Sequence, residues 1–249
     1  MTTLLAAFVL VQAPTVLTRV HSHNDYAQKR PLDEALDNGF SSVEVDVFPV
    51  NGKLLVGHNE KDIRDDRTIE SMYLDKLSAR AKANSGAIYP GSKATFWVLV
   101  DVKTKGLEAY NDFKAILDRY PSLKPATSVV RFVISGDRAI DAIAADKGAY
   151  AGIDGRFDDL DKGYSFAQMP WISGDWLDSF DWDGTGTIPN DFRLKMEALA
   201  MLVHREKRLI RFWGSPDNEA TWSVEWKAKV DFLNTDHLAQ LARWISKQP

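Results

Sequence analysis

Short apolar and β-branched runs alternate with amphipathic helical stretches from Val16 onward. Eight of these runs have the length and composition of β-strands. They are residues 16–23, 41–50, 94–104, 128–135, 150–155, 170–173, 209–213 and 230–235. A chain that alternates strands with helices forms βαβ units around a parallel sheet. Eight such units predict an α/β fold of the closed (β/α)₈ type, the TIM barrel, and not an open doubly wound sheet.

Two segments depart from this regular alternation. Asn51-Gly52 lies between two apolar runs and is a type I′ turn signal, so the chain after the second strand is predicted to form a hairpin. Residues 155–170 contain little helical pattern, which predicts an irregular fifth unit. No Gly-x-Gly-x-x-Gly follows the first strand and no Walker loop occurs, which disfavours a nucleotide-binding barrel.

The first residues have an apolar run of the length found in signal peptides, LLAAFVLV at residues 4–11. We interpret residues 1–13 as a candidate signal peptide and residues 14–249 as one barrel domain. This favours a secreted or periplasmic protein over a cytoplasmic one. The alternative is a short helix or strand that packs against the domain. No apolar run reaches the about 18 residues that a transmembrane helix needs.

Composition narrows the class of partner. The net charge is −4 and the pI is near 5.8, without the clustered Lys and Arg of a nucleic-acid-binding surface. The chain has no cysteine, which excludes disulfides and thiolate metal sites. We therefore expect a small-molecule or lipid substrate, with peripheral membrane contact as an option. The oligomeric state stays open.

The ends of the first three strands carry the candidate chemistry, because barrel enzymes place their sites at the carboxyl ends of strands. Glu44 and Asp46 are two residues apart and so share one face of a strand, while Val43, Val45 and Val47 face the helices. Asp101 and Lys103 repeat this arrangement on the next strand. Three inward carboxylates repel one another unless a cation is present. They predict an oxygen-ligand site for a hard divalent cation, and the alternative is a salt-bridge cluster with Lys103.

These segments resemble the superfamily of glycerophosphodiester phosphodiesterases and phosphatidylinositol-phospholipase-C-like enzymes. The resemblance rests on VHSHNDY, then VEVDV, then GHN, then VDVKT, and later on RFWGSPDN and VDFLNTDHL. In combination they are similar to the branch named after altered-inheritance-of-mitochondria protein 6, and in type to spider-venom sphingomyelinase D. The likeness spans about residues 16–245. Ser22 stands where glycerophosphodiesterases usually have Arg, and Asp101 agrees with the sphingomyelinase type.

The resemblance implies a (β/α)₈ barrel of the phospholipase-C-like phosphodiesterase type with one Mg²⁺ or Ca²⁺ ion. It implies the metal ligands Glu44, Asp46 and Asp101. It also implies two catalytic histidines. The His-x-x-Asn spacing, with Asn24 as the Asn, assigns the first as His21, and the position after the Glu-x-Asp strand assigns the second as His58. Four residues are predicted to contact the substrate, and these are Asn24, His23, Lys103 and Trp213, the last by stacking.

The residue types suit the cleavage of a phosphodiester, which needs charge neutralisation and a proton for the leaving alkoxide. Two histidines supply a base and an acid near neutral pH. We therefore predict a metal-dependent phosphodiester hydrolase that acts on a glycerophosphodiester or a phospholipid-like substrate. The alternatives are a lyase of the phospholipase D type that releases a cyclic product, a metal-binding barrel without turnover, and a zinc amidohydrolase. The first strand of a zinc amidohydrolase ends in His-x-His, as here, but the middle strands of this sequence lack the further histidines that such an enzyme needs.

Overall fold

Eight parallel strands form a nearly closed barrel in the computed structural model, which describes residues 14–249. One additional strand, β3, lies outside this ring and forms the predicted hairpin with β2. The strands are β1 (Val20–Ser22), β2 (Ser42–Val50), β3 (Lys53–Val56), β4 (Phe96–Val102), β5 (Val130–Gly136), β6 (Gly152–Gly155), β7 (Trp171–Asp175), β8 (Leu209–Trp213) and β9 (Leu233–Thr235). All eight predicted barrel strands are present, so the predicted fold is confirmed.

The strands follow one another around the barrel in chain order. β1 pairs with both β2 and β9, and the ring continues from β2 through β4, β5, β6 and β7 to β8. Between β8 and β9 only a single bridge forms, Arg211 to Phe232, so this is where the barrel is least regular. Parallel strands bring all their carboxyl ends to one rim, and this rim carries the candidate site.

Helices cover the outside of the barrel, mostly where the amphipathic pattern predicts them. They are α1 (Asp33–Asp37), α2 (Asp75–Ala83), α3 (Gly106–Leu117), α4 (Ile140–Ala145), α5 (Trp176–Ser179), α6 (Asn190–Arg205), α7 (Glu219–Lys227) and α8 (Leu238–Ile245). A π-helical turn, Glu70–Leu74, leads into α2. The connection from β6 to β7 holds only a short 3₁₀ turn, Phe157–Asp159, as the helix-poor segment predicts.

Two apolar layers hold the barrel together. Outward-facing valines of β2 and β4 are fully buried against the helices, which confirms the predicted alternation. Inside the ring, near the amino ends of the strands, five side chains form a separate apolar cluster, the lower layer. These are Trp97, Leu99, Val133, Trp171 and Phe232. The lower layer closes the barrel, so that only the opposite end of its interior is open to polar chemistry.

No helix within residues 14–249 is long and apolar enough to cross a membrane. The candidate signal peptide at residues 1–13 lies outside the described residues, so export stays a prediction.

Candidate active site

A cavity of about 270 Å³ opens at the carboxyl ends of the barrel strands. Seven of the nine predicted site residues line it, and these are His23, Asn24, Glu44, His58, Asp101, Lys103 and Trp213. His21 and Asp46 lie beneath its floor, where both are fully buried. Three further residues line the cavity without having been predicted, namely Ser135, Arg156 and Arg211. The barrel topology thus brings together the predicted residues from β1, β2, β4 and the hairpin.

Glu44 and Arg211 form a buried ion pair in the site. Arg211 Nη1 donates to Glu44 Oε2 at 2.7 Å, and both side chains are buried. Burial alone would raise the pKa of Glu44, but the Arg211 charge and the hydrogen bond from His21 outweigh it and hold this pKa well below its ordinary value. Glu44 is therefore a carboxylate at neutral pH, and it lines the cavity.

Asp46 and Asp101 face each other in register on β2 and β4, and Lys103 bridges them. Lys103 Nζ lies 2.7 Å from Asp46 Oδ2 and 2.6 Å from Asp101 Oδ2. Burial and the nearby Glu44 charge raise the pKa of Asp101. Gly136, the last residue of β5, is close to this carboxylate: with φ +69°, a Cβ there would clash with the Val102 carbonyl and lie 2.8 Å from Asp101 Oδ1. Glycine at this position leaves space for Asp101.

The three carboxylates do not form a ready-made cage. Within residues 14–249, no three carboxylate or imidazole side chains have the spacing of a metal site. Each carboxylate is paired with Arg211 or Lys103. One atom nevertheless fits a cation: Asp46 Oδ1 is buried and has no hydrogen-bond partner among the described residues, although Oδ2 of the same carboxylate accepts several hydrogen bonds. A buried carboxylate oxygen without a partner is costly, and a hard divalent cation would satisfy it.

His23 and His58 both line the cavity, and each ring is held in the same way by a carboxylate. His58 Nδ1 lies 3.0 Å from Asp46 Oδ2, and His23 Nδ1 lies 3.0 Å from Asp236 Oδ1. A carboxylate on Nδ1 fixes the ring and leaves Nε2 for a ligand. Burial lowers the pKa of His23, but the hydrogen bond to Asp236 and the Glu44 charge outweigh burial and raise this pKa above its ordinary value.

His21 has a different environment although it is only two residues from His23. Its Nδ1 lies 2.7 Å from Ser42 Oγ, and its Nε2 lies 2.9 Å from Glu44 Oε2 and 2.7 Å from Arg211 Nη1. Burial lowers the pKa of His21 to about 4, so the ring is neutral at pH 7. Both ring nitrogens are occupied and the side chain does not reach the cavity. For contact with a substrate, the geometry favours His23 over the predicted His21.

The Tyr26 hydroxyl contacts residues on both the His23 side and the His58 side of the site. Its hydroxyl donates to Asp46 Oδ2 at 2.7 Å, and it also lies 2.9 Å from Asn24 Oδ1 and 3.3 Å from His58 Nδ1. Asn24 has left-handed backbone angles, φ 45° and ψ 42°, which asparagine tolerates better than most residues. The predicted Asn24 therefore lines the cavity and anchors Tyr26.

The cations on the far wall were not predicted from the sequence. Arg156 lies over the ring of Trp213, with its Cζ 4.5 Å from the ring centre, and Arg156 Nη1 donates to Asp154 Oδ2 at 2.9 Å. Asp154 is fully buried and also accepts from Ser135 and Ser173. The two-residue repeat of a strand could have predicted Arg211, because it is two residues from Trp213 on β8 and so points to the same face. Arg156 follows a strand end in an irregular loop, where no periodicity applies.

Comparison with known proteins gives family matches in two segments of the chain, one N-terminal and one C-terminal. The model of the AIM6-like phosphodiesterase domain matches residues 11–124, and the model of the glycerophosphoryl diester phosphodiesterase family matches residues 210–239. The resemblance to this phosphodiesterase superfamily is confirmed. The first matched segment contains His23, His58 and all three carboxylates, and the second contains Arg211 and Trp213.

The matched relatives carry the same family name. The altered inheritance of mitochondria protein 6 of Lachancea thermotolerans is 27% identical over 93% of this chain and 66% of its own length. A homolog of that protein from Arthroderma benhamiae is 26% identical over 90% of this chain and 84% of its own length. The Saccharomyces cerevisiae protein is 32% identical over 41% of this chain and 28% of its own length. The chain thus spans about two thirds of the Lachancea protein.

Proposed function

We propose that this protein is a metal-dependent phosphodiester hydrolase that acts on a glycerophosphodiester or a phospholipid-like substrate. One observation carries the proposal. Two histidines, each with Nδ1 on a carboxylate, face a cavity whose other walls carry Lys103, Arg156 and Arg211. Cations bind the phosphate, and the imidazoles exchange protons with the attacking and leaving oxygens.

The histidines divide the proton transfers between them. His23 and His58 each have Nε2 free of the carboxylate that fixes the ring. One of them accepts the proton of the attacking water while the other donates a proton to the departing alkoxide. The arginines neutralise the phosphate, and Arg156 is held for this task by Asp154 and by stacking on Trp213.

The proposed metal is one Mg²⁺ or Ca²⁺ ion held by Glu44, Asp46 and Asp101. Support comes from the partnerless Asp46 Oδ1 and from the placement of the three carboxylates on neighbouring strands. When bound, the ion would supply further positive charge for the phosphate. Its binding also requires Lys103 or Arg211 to share the carboxylates with it.

The proposal is tested by assaying purified protein on bis(p-nitrophenyl) phosphate with Mg²⁺, with Ca²⁺ and with excess chelator. We expect hydrolysis with one of the two ions and a loss of at least about 100-fold on chelation. Full activity in chelator would refute the metal, and no hydrolysis of this or any glycerophosphodiester would refute the enzyme.

A cyclising lyase is the second candidate, favoured by Asp101 in place of the glutamate usual in glycerophosphodiesterases. The two reactions differ in product, because a hydrolase releases a phosphomonoester and a lyase releases a cyclic phosphate. Phosphorus NMR of the products from glycerophosphocholine and lysophosphatidylcholine separates them. Secretion and peripheral membrane contact stay predictions of the sequence.

A further inference from the structure

A second cavity of about 610 Å³ lies on the other side of His58 from the candidate active site. In the part of the chain that the structure describes, His58 alone lines both cavities, and its side chain is 60% exposed. The walls of the second cavity are formed by the segment after β1 and the loop after β3. A substrate bound across His58 would therefore extend from one cavity into the other.

The second cavity is cationic although the whole protein is acidic, with a net charge of −4. Four of its lining residues are basic, namely Lys29, Lys61, Arg64 and Arg67. Among residues 14–249, Asp62 is the only acid that lines it, and its carboxylate already accepts hydrogen bonds from the backbone and the side chain of Asn59. The other acids of this loop, Glu60, Asp65 and Asp66, do not line the cavity.

These four cations have no carboxylate partner within residues 14–249, in contrast to their neighbours. Arg30, next to Lys29, pairs with Asp37 at 2.9 Å, and the cations of the active site are all paired with carboxylates. Unpaired cations that converge on one cavity raise the local concentration of anions there.

Arg67 connects this cationic wall to the active site. Its Nη2 donates to the backbone oxygen of Tyr26 at 2.9 Å, and its Nε is buried with no hydrogen-bond partner among the described residues. The hydroxyl of the same Tyr26 binds Asp46 and lies 3.3 Å from His58 Nδ1. The guanidinium is thus fixed relative to the groups that carry the proposed chemistry.

We infer that this second cavity is a subsite for a phosphomonoester carried by the substrate, next to the phosphodiester that is cleaved. The inference rests on the proposed function, because it places the scissile phosphodiester in the first cavity with His58 between the two anions. A phosphomonoester dianion offers three acceptor oxygens, which suits convergent Lys and Arg donors better than a neutral sugar or choline does. The preferred substrate is then a diester with a phosphorylated alcohol.

The test compares two diesters that differ only in one phosphate, glycerophosphoinositol and glycerophosphoinositol 4-phosphate. We expect kcat/KM to be about tenfold higher for the phosphorylated compound, and this preference to weaken with added salt. In the double variant Lys61→Gln/Arg64→Gln the preference should fall to about twofold or less. The matched control is Lys82→Gln/Lys247→Gln, which removes two exposed charges away from the cavity and should retain the preference.

Three outcomes would overturn the subsite. They are equal kcat/KM for both compounds in the wild type, a preference that survives in the Lys61/Arg64 double variant, and activation of the unphosphorylated diester by inorganic phosphate without any substrate preference. The last would assign the cations to a free anion. Calorimetric titration with both compounds separates the two proposals. Tighter binding of the phosphorylated compound without turnover of either would refute the hydrolase and support the subsite.

Discussion

The lower and upper halves of the barrel interior are built on the same strands and have opposite chemistry. The lower layer is apolar, and its aromatic rings contact one another directly, with Trp171 and Phe232 4.0 Å apart. Two residues further along β4, β5 and β7 the inward side chains are polar, namely Asp101, Ser135 and Ser173, and they belong to a network of carboxylates, hydroxyls and cations. The lower half supplies hydrophobic stabilisation, which the upper half, with its buried charges, supplies only weakly.

His21 lies at the boundary between the two halves and shows what changes there. Its ring contacts Trp171 and Phe232 edge-on, at 5.7 and 6.3 Å, while its nitrogens bind the polar network above. Two residues later on the same side of the chain, His23 is partly exposed at the cavity. The two histidines therefore differ in depth, because His21 is fully buried while His23 lines the cavity.

The largest expected effect is on activity, from His58→Ala. We expect kcat to fall about 1,000-fold, about 4 kcal/mol in activation free energy, because a proton-transfer group is lost. Since the side chain is mostly exposed, the free energy of unfolding should change little. His204→Ala is the control, because that histidine also pairs with a carboxylate, Asp231, but on an outer helix. Equal activity of the two variants would contradict the assignment of His58.

The next largest effect is on the free energy of unfolding, which should respond differently to substitution of His21 and of His23. His21→Gln should lower the free energy of unfolding by about 2–3 kcal/mol, because it disturbs a buried hydrogen-bond network. His23→Gln should cost less than about 0.5 kcal/mol and should lose activity instead. Urea denaturation and kinetic assays of both variants make the comparison. A stable, inactive His21→Gln with an active His23→Gln would restore His21 as the catalytic residue.

A smaller effect is expected from Phe232→Leu in the lower layer. The substitution leaves a small cavity among the aromatic rings and should cost about 1.5 kcal/mol of stability. Because no charged group moves, kcat/KM should stay within about twofold of the wild type. A large loss of activity without loss of stability would show that the two halves are not separable.

The smallest effect is expected from Asp236→Asn, which removes the carboxylate that orients His23. We expect kcat to fall about fivefold, about 1 kcal/mol, as for an exposed positioning residue. The carboxylate raises the pKa of His23, so its removal lowers that pKa. The limb of the pH–rate profile that His23 controls should therefore move to lower pH. A fivefold loss with an unmoved profile would indicate a purely structural role.

Local patterning predicted much of the fold and part of the site. The eight strands, the hairpin at Asn51-Gly52 and the irregular fifth unit all follow from short-range periodicity and turn chemistry. The inward direction of Glu44, Asp46 and Asp101 follows from the two-residue repeat of a strand, and barrel topology puts these strands side by side. Metal binding and export remain predictions.

By itself, the sequence determined which side chains point into the barrel, because the direction of a side chain on a strand depends only on its position in the two-residue repeat. Only the tertiary structure decided how deep each one lies and which charge it meets. Arg211 binds Glu44 across 167 positions of the chain, and Arg67 joins Tyr26 across 41. Such pairs depend on barrel closure and loop path, which no local pattern encodes.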